Sequence, residues 1–257
     1  MIKVFIDGKE GTTGLRIYDR LCDRDDIELI ILPEEERKNA EQRRRAINES
    51  DISFLCLPDA AAIEAEQMAE NPNTVIIDTS TAHRTNPGWA YGFPELSKGH
   101  LQAVQESKRI AVPGCHAGGF IALIDPLVKG GILPRSALLT SYSITGYSGG
   151  GKKMIAEYEK EERSPLLAAP RQYGLTQQHK HLKEMKYITG LENAPIFCPV
   201  VSDFYSGMVM TVPLFLEQLT SGASCDTIRE LYRKHYCGPI VSYVEDLTDF
   251  GAGGFIS

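Results

Sequence analysis

The sequence predicts an α/β fold: a doubly wound parallel sheet in the first half, followed by an α+β half. Three observations predict it. Short β-rich apolar runs alternate with polar, helix-forming stretches over the first 78 residues. A glycine loop joins the first of those runs to the first helix. Beyond residue 115 the apolar runs lengthen and succeed one another. Continuous apolar strands separated by helices belong to sheets buried on both faces, whereas long strands in series favour an antiparallel or mixed sheet with helices on one side.

Element by element, "IKVFID" is the first strand and a helix runs through residue 21. Residues 27–32, 52–57 and 75–78 are the next strands, separated by helices over 34–48 and 60–70. Right-handed crossovers then make a doubly wound sheet. An apolar helix over 119–128 opens the second half. "ALLTSYSITGYS", "APIFCPVVSDF" and "MVMTVPLFL" are its strands, with helices over 152–162 and 225–236. The predicted domains are 1–114, for a dinucleotide, and 115–257, for catalysis and substrate.

Bulk properties narrow the class. At 257 residues, 42% hydrophobic and 24% charged, the chain is an ordinary globular protein of one large or two modest domains. A net charge of −7 disfavours nucleic acid and anionic membrane as partners. No apolar run is long enough to cross a bilayer, and the N-terminus reads as a strand rather than a secretory signal. Six scattered cysteines without a CxxC pair give no zinc pattern, and a reducing, cytoplasmic compartment is expected.

"DGKEGTTG" places Gly8, Gly11 and Gly14 in a GxxGxxG arrangement, with Thr12 and Thr13 at the helix start. A strand–glycine loop–helix unit aims backbone N–H groups and the helix dipole at a phosphate. The alternative is a tight turn that binds nothing. The second strand runs into "ILPEEERKN", where an acid suits a ribose 2′-hydroxyl and a base a 2′-phosphate. Arg37, followed by Lys38, inclines the reading to NADP. A solvated helix start with acids in its first turn is the competing explanation.

"IAVPGCHAGGF" carries Cys115 between a Pro-Gly turn and an apolar helix. A thiol at a helix N-terminus is favoured as thiolate, the reactive form. Gly114, Gly118 and Gly119 let backbone approach a substrate and offer N–H groups to an oxyanion. Elsewhere a cysteine is more often a small apolar filler. A nucleophilic cysteine needs a base, and "TQQHKHLKEM" supplies His179 and His181. His116 adjoins the cysteine, but neighbouring side chains usually diverge.

Here the motifs converge. "AVPGCHAGGFIALIDPL" resembles the active-site signature of the N-acetyl-γ-glutamyl-phosphate reductases. "DGKEGTTG" resembles their nucleotide loop, "IIDTSTAHR" their Asp-x-Ser…Arg stretch and "YGFPEL" their Tyr-Gly-x-Pro-Glu motif. "ITGYSGGGKK" is similar to their Ser-Gly-rich turn and "HKHLKE" to their His-Arg-His-x-x-Glu motif. The order is kept over residues 1–216, in the shorter of the family's two types. The resemblance implies a Rossmann-type domain and a catalytic, dimerising domain of the semialdehyde-dehydrogenase type. It implies NADPH-dependent reduction of N-acetyl-γ-glutamyl phosphate to N-acetylglutamate semialdehyde with phosphate release, in arginine biosynthesis.

By the same resemblance Cys115 attacks the acyl phosphate to form a thioester, His181 does acid/base work and His179 orients the substrate. Arg84, Ser80, Gly114 and His116 fall to the substrate, and Pro58, Ser148 and Gly149 to the cofactor with the glycine loop and Arg37. The partners implied are a small acyl phosphate or semialdehyde, phosphate, and further copies of the chain in a dimer or tetramer. Departures are His116 where an aromatic is common, Gly118–Gly119 for Thr-Gly, Lys180 for Arg and Lys183 for Pro. The family continues past "GAGGFIS" into a strand and helix returning to the nucleotide domain, so a C-terminal tail is expected to be missing. Rivals are an aspartate-semialdehyde dehydrogenase, a lysine-pathway reductase acting on a carrier-bound acyl phosphate, and a non-catalytic redox sensor. The paired histidines favour the arginine enzyme over the aspartate one.

Overall fold

The computed structural model describes residues 1–245 and residue 247. The end of the chain, 248–257, where a tail is expected to be missing, lies outside the described residues, as does residue 246. The chain divides into two compact units, Met1–Pro113 and Gly114–Ser257.

The first unit is built on β1 (Ile2–Asp7), α1 (Thr12–Leu21), β2 (Ile27–Ile30), α2 (Ala40–Glu49), β3 (Ile52–Leu55), α3 (Asp59–Gln67) and β4 (Val75–Asp78), then β5 (Ala90–Tyr91), α4 (Lys98–Glu106) and β6 (Arg109–Ala111). The sheet order is β2-β1-β3-β4-β6-β5, and every pairing is parallel. Phe5, Ala46, Ile47, Leu55, Ala65, Met68 and Ile76 form one buried cluster from strands and helices. Each large side chain buried there contributes about 1.5–3 kcal/mol of transfer free energy.

The predicted strands and helices recur with shifted ends. β2 stops at Ile30, short of Pro33, which has no N–H for a ladder. α2 begins at Ala40 rather than residue 34 because Asn39 caps it, its side chain accepting the Glu41 amide at 2.9 Å. β5 and β6 are too short to leave a period in the sequence. Behind the glycine loop, Arg43 of α2 reaches Asp7 at the end of β1, with Nη2 2.9 Å from Oδ2. Burial outweighs that partner and holds the Asp7 carboxyl above its ordinary range.

The second unit holds α5 (Cys115–Lys129), β7 (Thr140–Gly146), α6 (Gly151–Glu159), β8 (Arg171–Gln172), α7 (His181–Thr189), β9 (Ile196–Ser202), β10 (Met208–Thr211) and α8 (Cys225–His235). Its sheet runs β10-β7-β9-β8. β7 and β9 are parallel and the outer pairs antiparallel, so the sheet is mixed. α5 buries Ala117, Phe120, Ile121, Ile124 and Leu127. It starts at Cys115, four residues before the predicted start, with the Gly118 amide closing the first turn onto the Gly114 carbonyl despite the low helix propensity of Gly118 and Gly119. Gly119 admits β10 closely, since a Cβ there would stand 3.0 Å from Met210 Cβ.

The glycine loop gives a stability test. A Cβ on Gly14 would lie 2.4 Å from the Gly8 carbonyl oxygen and 2.7 Å from Lys9 Cα, both backbone atoms that cannot swing aside. Gly14→Ala is expected to lose roughly 1–3 kcal/mol in denaturant unfolding. Gly88→Ala, whose Cβ would meet only Asn86 Oδ1 at 3.5 Å, is expected to stay within about 0.5 kcal/mol.

Candidate active site

Cys115 is the first residue of α5 and is exposed. Its N-cap, Gly114, has no side chain to cap the first turn, so the partial positive charge of the helix start faces outward beside the thiol. The Gly114 amide is buried and donates to Glu184 Oε1 at 2.8 Å. Glu184 lies one turn into α7, three residues after His181, and is itself buried. The bond therefore ties the start of α5 to the helix that begins with His181.

The histidines gather on that side of the second unit. His179 and His181 have ring centroids 4.7 Å apart, and the His181 amide donates to His179 Nδ1 at 3.3 Å. His116 lies 5.9 Å from His179 and 5.6 Å from His181, centroid to centroid, and meets Phe197 edge-on. It is buried, with Nδ1 2.6 Å from Ser143 Oγ and Nε2 2.8 Å from the Tyr173 hydroxyl. Burial, with His179 adding to it, pushes the His116 imidazole down to about 4. His179 is lowered too, by burial and then by Lys180. Tyr173 is pushed up to about 12 by burial, and a negative charge on Cys115 adds to the shift. The phenol and the thiol thus share one electrostatic environment.

In this unit the structure assembles the residues named from sequence for chemistry: Cys115, Gly114, His116, His179 and His181. His116 diverges from Cys115 as expected: α5 turns it inward onto β7, beside His179 and His181, while Cys115 stays outside. Ser148 and Gly149 lie in a 3-10 turn after β7, but the Ser148 amide already donates to the Tyr205 carbonyl at 2.9 Å. Sequence reasoning gave no role to Tyr173, Ser143 or Glu184. Only Glu184 had a signal, its place in "HKHLKE" one helical turn after His181.

In the first unit, Gly8 takes φ +83°, and a Cβ there would stand 2.4 Å from the Cys56 carbonyl oxygen. The Gly11 amide closes the turn onto the Gly8 carbonyl at 2.9 Å, and Gly11 offers no side-chain cap to α1. The three glycines let the loop fold tightly on itself and against Cys56, and the loop opens directly into the first turn of α1, at Thr12, Thr13 and Gly14. Arg37 stands beside it, 3.7 Å from Glu10 of the loop and 2.7 Å from Glu34. Pro58 precedes α3 and is exposed. Ser80 is turned inward: its hydroxyl donates to Asp78 Oδ2 at 2.6 Å, where His83 Nδ1 also binds at 2.7 Å. Arg84 is buried, donating Nε to the Val112 carbonyl at 2.8 Å and Nη2 to the Thr79 carbonyl at 2.9 Å. It braces the segment that leads into Gly114 and Cys115.

Residues 3–104 match the family model described as "Semialdehyde dehydrogenase, NAD binding domain", and residues 115–249 that described as "Semialdehyde dehydrogenase, dimerisation domain". The chain is 47% identical over 249 residues to the N-acetyl-γ-glutamyl-phosphate reductase of Rhizobium meliloti, covering 96% of this chain and 80% of that one. The reductase of Brucella ovis is 44% identical with the same coverage. Among solved structures, aspartate semialdehyde dehydrogenase II from Vibrio cholerae superposes with a TM-score of 0.65 at 14% identity, covering 91% of this chain and 79% of that one. The Candida albicans aspartate semialdehyde dehydrogenase, solved with NADP, gives 0.64 at 17% identity, covering 92% and 77%. At such identities the likeness is one of fold. Among the described residues no helix is long and apolar enough to cross a membrane.

The buried imidazole carries a pH signature. His116 is held near 4 in the folded chain against 6.5 when unfolded, so between those values the unfolded chain binds the extra proton. Stability therefore rises with pH across that window and is lost as pH falls through it, with a slope of up to about 1.4 kcal/mol per pH unit from this group. His116→Gln is expected to flatten the fall in unfolding free energy between pH 6.5 and 4.5, read by denaturant titration at each pH.

Proposed function

The chain belongs to the N-acetyl-γ-glutamyl-phosphate reductases of the semialdehyde dehydrogenase family, and on that premise we propose that Cys115 is the nucleophile of its reaction. That reaction, a step of arginine biosynthesis, turns N-acetyl-γ-glutamyl phosphate and NADPH into N-acetylglutamate semialdehyde, phosphate and NADP. The observation that carries the assignment is an exposed thiol at an uncapped helix start, tied through Gly114 and Glu184 to the helix that begins with His181.

An acyl phosphate has a good leaving group but accepts hydride poorly. The Cys115 thiolate attacks its carbonyl carbon, the S–C bond forms, the C–O bond breaks and phosphate leaves. The open first turn of α5 supplies N–H groups on the side where carbonyl oxygen charge develops. His181 takes the proton from Cys115 Sγ and returns one when the sulfur departs. His179, held neutral by burial, orients the phosphate as a hydrogen-bond partner rather than a cation. When bound, the dinucleotide supplies the hydride that reduces the thioester carbon. The residues present fit that group: a tight turn of Gly8, Gly11 and Gly14 leads into α1, whose start at Thr12, Thr13 and Gly14 has no side-chain cap and suits a pyrophosphate. Arg37 beside the loop suits the 2′-phosphate of NADP, with Pro58 at the head of α3 bordering the cofactor. Arg84 serves by bracing the strand that precedes Cys115.

The second unit also bears a face for a second copy of the chain. On β7 the polar Ser141, Ser143 and Thr145 point inward, while Tyr142 and Ile144 are 50% and 45% exposed. Sheet register lines Ile144 with Val209 and Val200, and Tyr142 with Cys198, so the outward rows form an apolar patch. An apolar sheet face left open in one chain is suited to another's. A biosynthetic reductase with six thiols and no disulfide suits a reducing cytoplasm.

Two experiments test this reading. Run in reverse, with N-acetylglutamate semialdehyde, NADP and phosphate, the protein is expected to form NADPH only when phosphate is present. Cys115→Ser is expected to lower kcat by ~10³-fold or more. Preference for aspartate semialdehyde would move the assignment to the neighbouring enzyme. Ile144→Asp is expected to shift the sedimenting species towards monomer with an unchanged far-UV circular dichroism spectrum. An unshifted oligomer would remove this face from the interface.

A further inference from the structure

We propose that Ser143, His116 and Tyr173 form a buried hydrogen-bond relay that fixes His116 as its Nε2–H tautomer and thereby turns the Tyr173 hydroxyl proton outward, towards the acyl group on Cys115. The inference rests on the Cys115 reading for what the hydroxyl faces, but the relay itself follows from proton accounting.

His116 bonds hydroxyls at both ring nitrogens, Ser143 Oγ at Nδ1 and Tyr173 Oη at Nε2. A neutral imidazole carries one N–H and one bare nitrogen, so one hydroxyl donates to the ring and the other accepts from it. Ser143 is fully buried on the inner face of β7 and makes no other side-chain hydrogen bond among the described residues. If the ring donated to it, the serine proton would be left buried without an acceptor, at a cost of about 1–3 kcal/mol. Tyr173 is only part-buried, so its proton has somewhere else to go. The lower-energy arrangement has Ser143 donating to Nδ1 and Nε2–H donating to the Tyr173 oxygen.

The parts are held firmly. Tyr173 packs against the cluster of Tyr158, Leu167 and Val201, and its amide donates to the Pro199 carbonyl at 3.0 Å. Phe197 backs the His116 ring at 5.2 Å. Tyr173 Oη bonds the residue next to Cys115 in α5, His116, at 2.8 Å, and a charge on Cys115 adds to the upward shift of the phenol. In this proposal Tyr173 donates a hydrogen bond to the acyl carbonyl, and His116 and Ser143 are positioning residues behind it.

The tautomer can be read without turnover. In ¹⁵N-histidine-labelled protein, His116 is expected to show a protonated Nε2 and a bare Nδ1 at pH 7. Ser143→Ala is expected to shift it towards the Nδ1–H form. A wild-type Nδ1–H tautomer overturns the relay. In kinetics, Tyr173→Phe is expected to lower kcat by about 10²-fold with KM little changed. His116→Phe and Ser143→Ala are each expected to lower kcat roughly tenfold alone, and by less than about twofold once Tyr173 is Phe. Losses that multiply in the double variants overturn the relay, since residues serving only packing would act independently of the hydroxyl. Full turnover by Cys115→Ser would sink the nucleophile while the tautomer still decided the relay.

Discussion

Glu184 sits on the buried side of α7, and its carboxylate accepts the amide of Gly114. That amide belongs to the residue just before Cys115, and Gly114 has no side chain of its own to anchor it. A buried N–H needs an acceptor and a buried carboxylate needs donors, so each group holds the other in place. Because His181 and Glu184 are three residues apart on one helix, they share a face. The bond therefore ties the start of α5, where Cys115 stands, to the helix that begins with His181.

β7 shows how one strand meets two demands. A strand on a hydrophobic core would normally turn its apolar residues inward, but here Ser141, Ser143 and Thr145 face in and Tyr142 and Ile144 face out. The inner hydroxyls give buried His116 a partner, which lets a polar ring lie between helix and sheet without an unmet hydrogen bond. The outer apolar rows gain by being covered in an assembly. The same alternation thus supports the chemistry on one face and association on the other.

The first unit was largely legible in the sequence, because continuous apolar runs and the glycine spacing are local signals: β1 and β4 have the bounds read from composition. The ends of β2 and α2 were not, since they depend on Pro33 and on the Asn39 cap rather than on periodicity. In the candidate site, Cys115, His179 and His181 carry strong local motifs in the sequence. Tyr173 and Ser143 do not: they reach His116 from 57 and 27 residues away in the chain. Cys115 and His116 diverge as successive helical residues do: one is exposed and the next is turned in onto β7.

The assignment of Cys115 as the acylated residue is tested most directly by trapping. The full chain, mixed with N-acetyl-γ-glutamyl phosphate without dinucleotide, acid-quenched and digested, would be read by mass spectrometry. The account predicts an N-acetylglutamyl adduct on the peptide containing Cys115, removable by hydroxylamine, with phosphate released in step. Phosphate release with the adduct on another residue, or with the Cys115 peptide left unmodified, would contradict it.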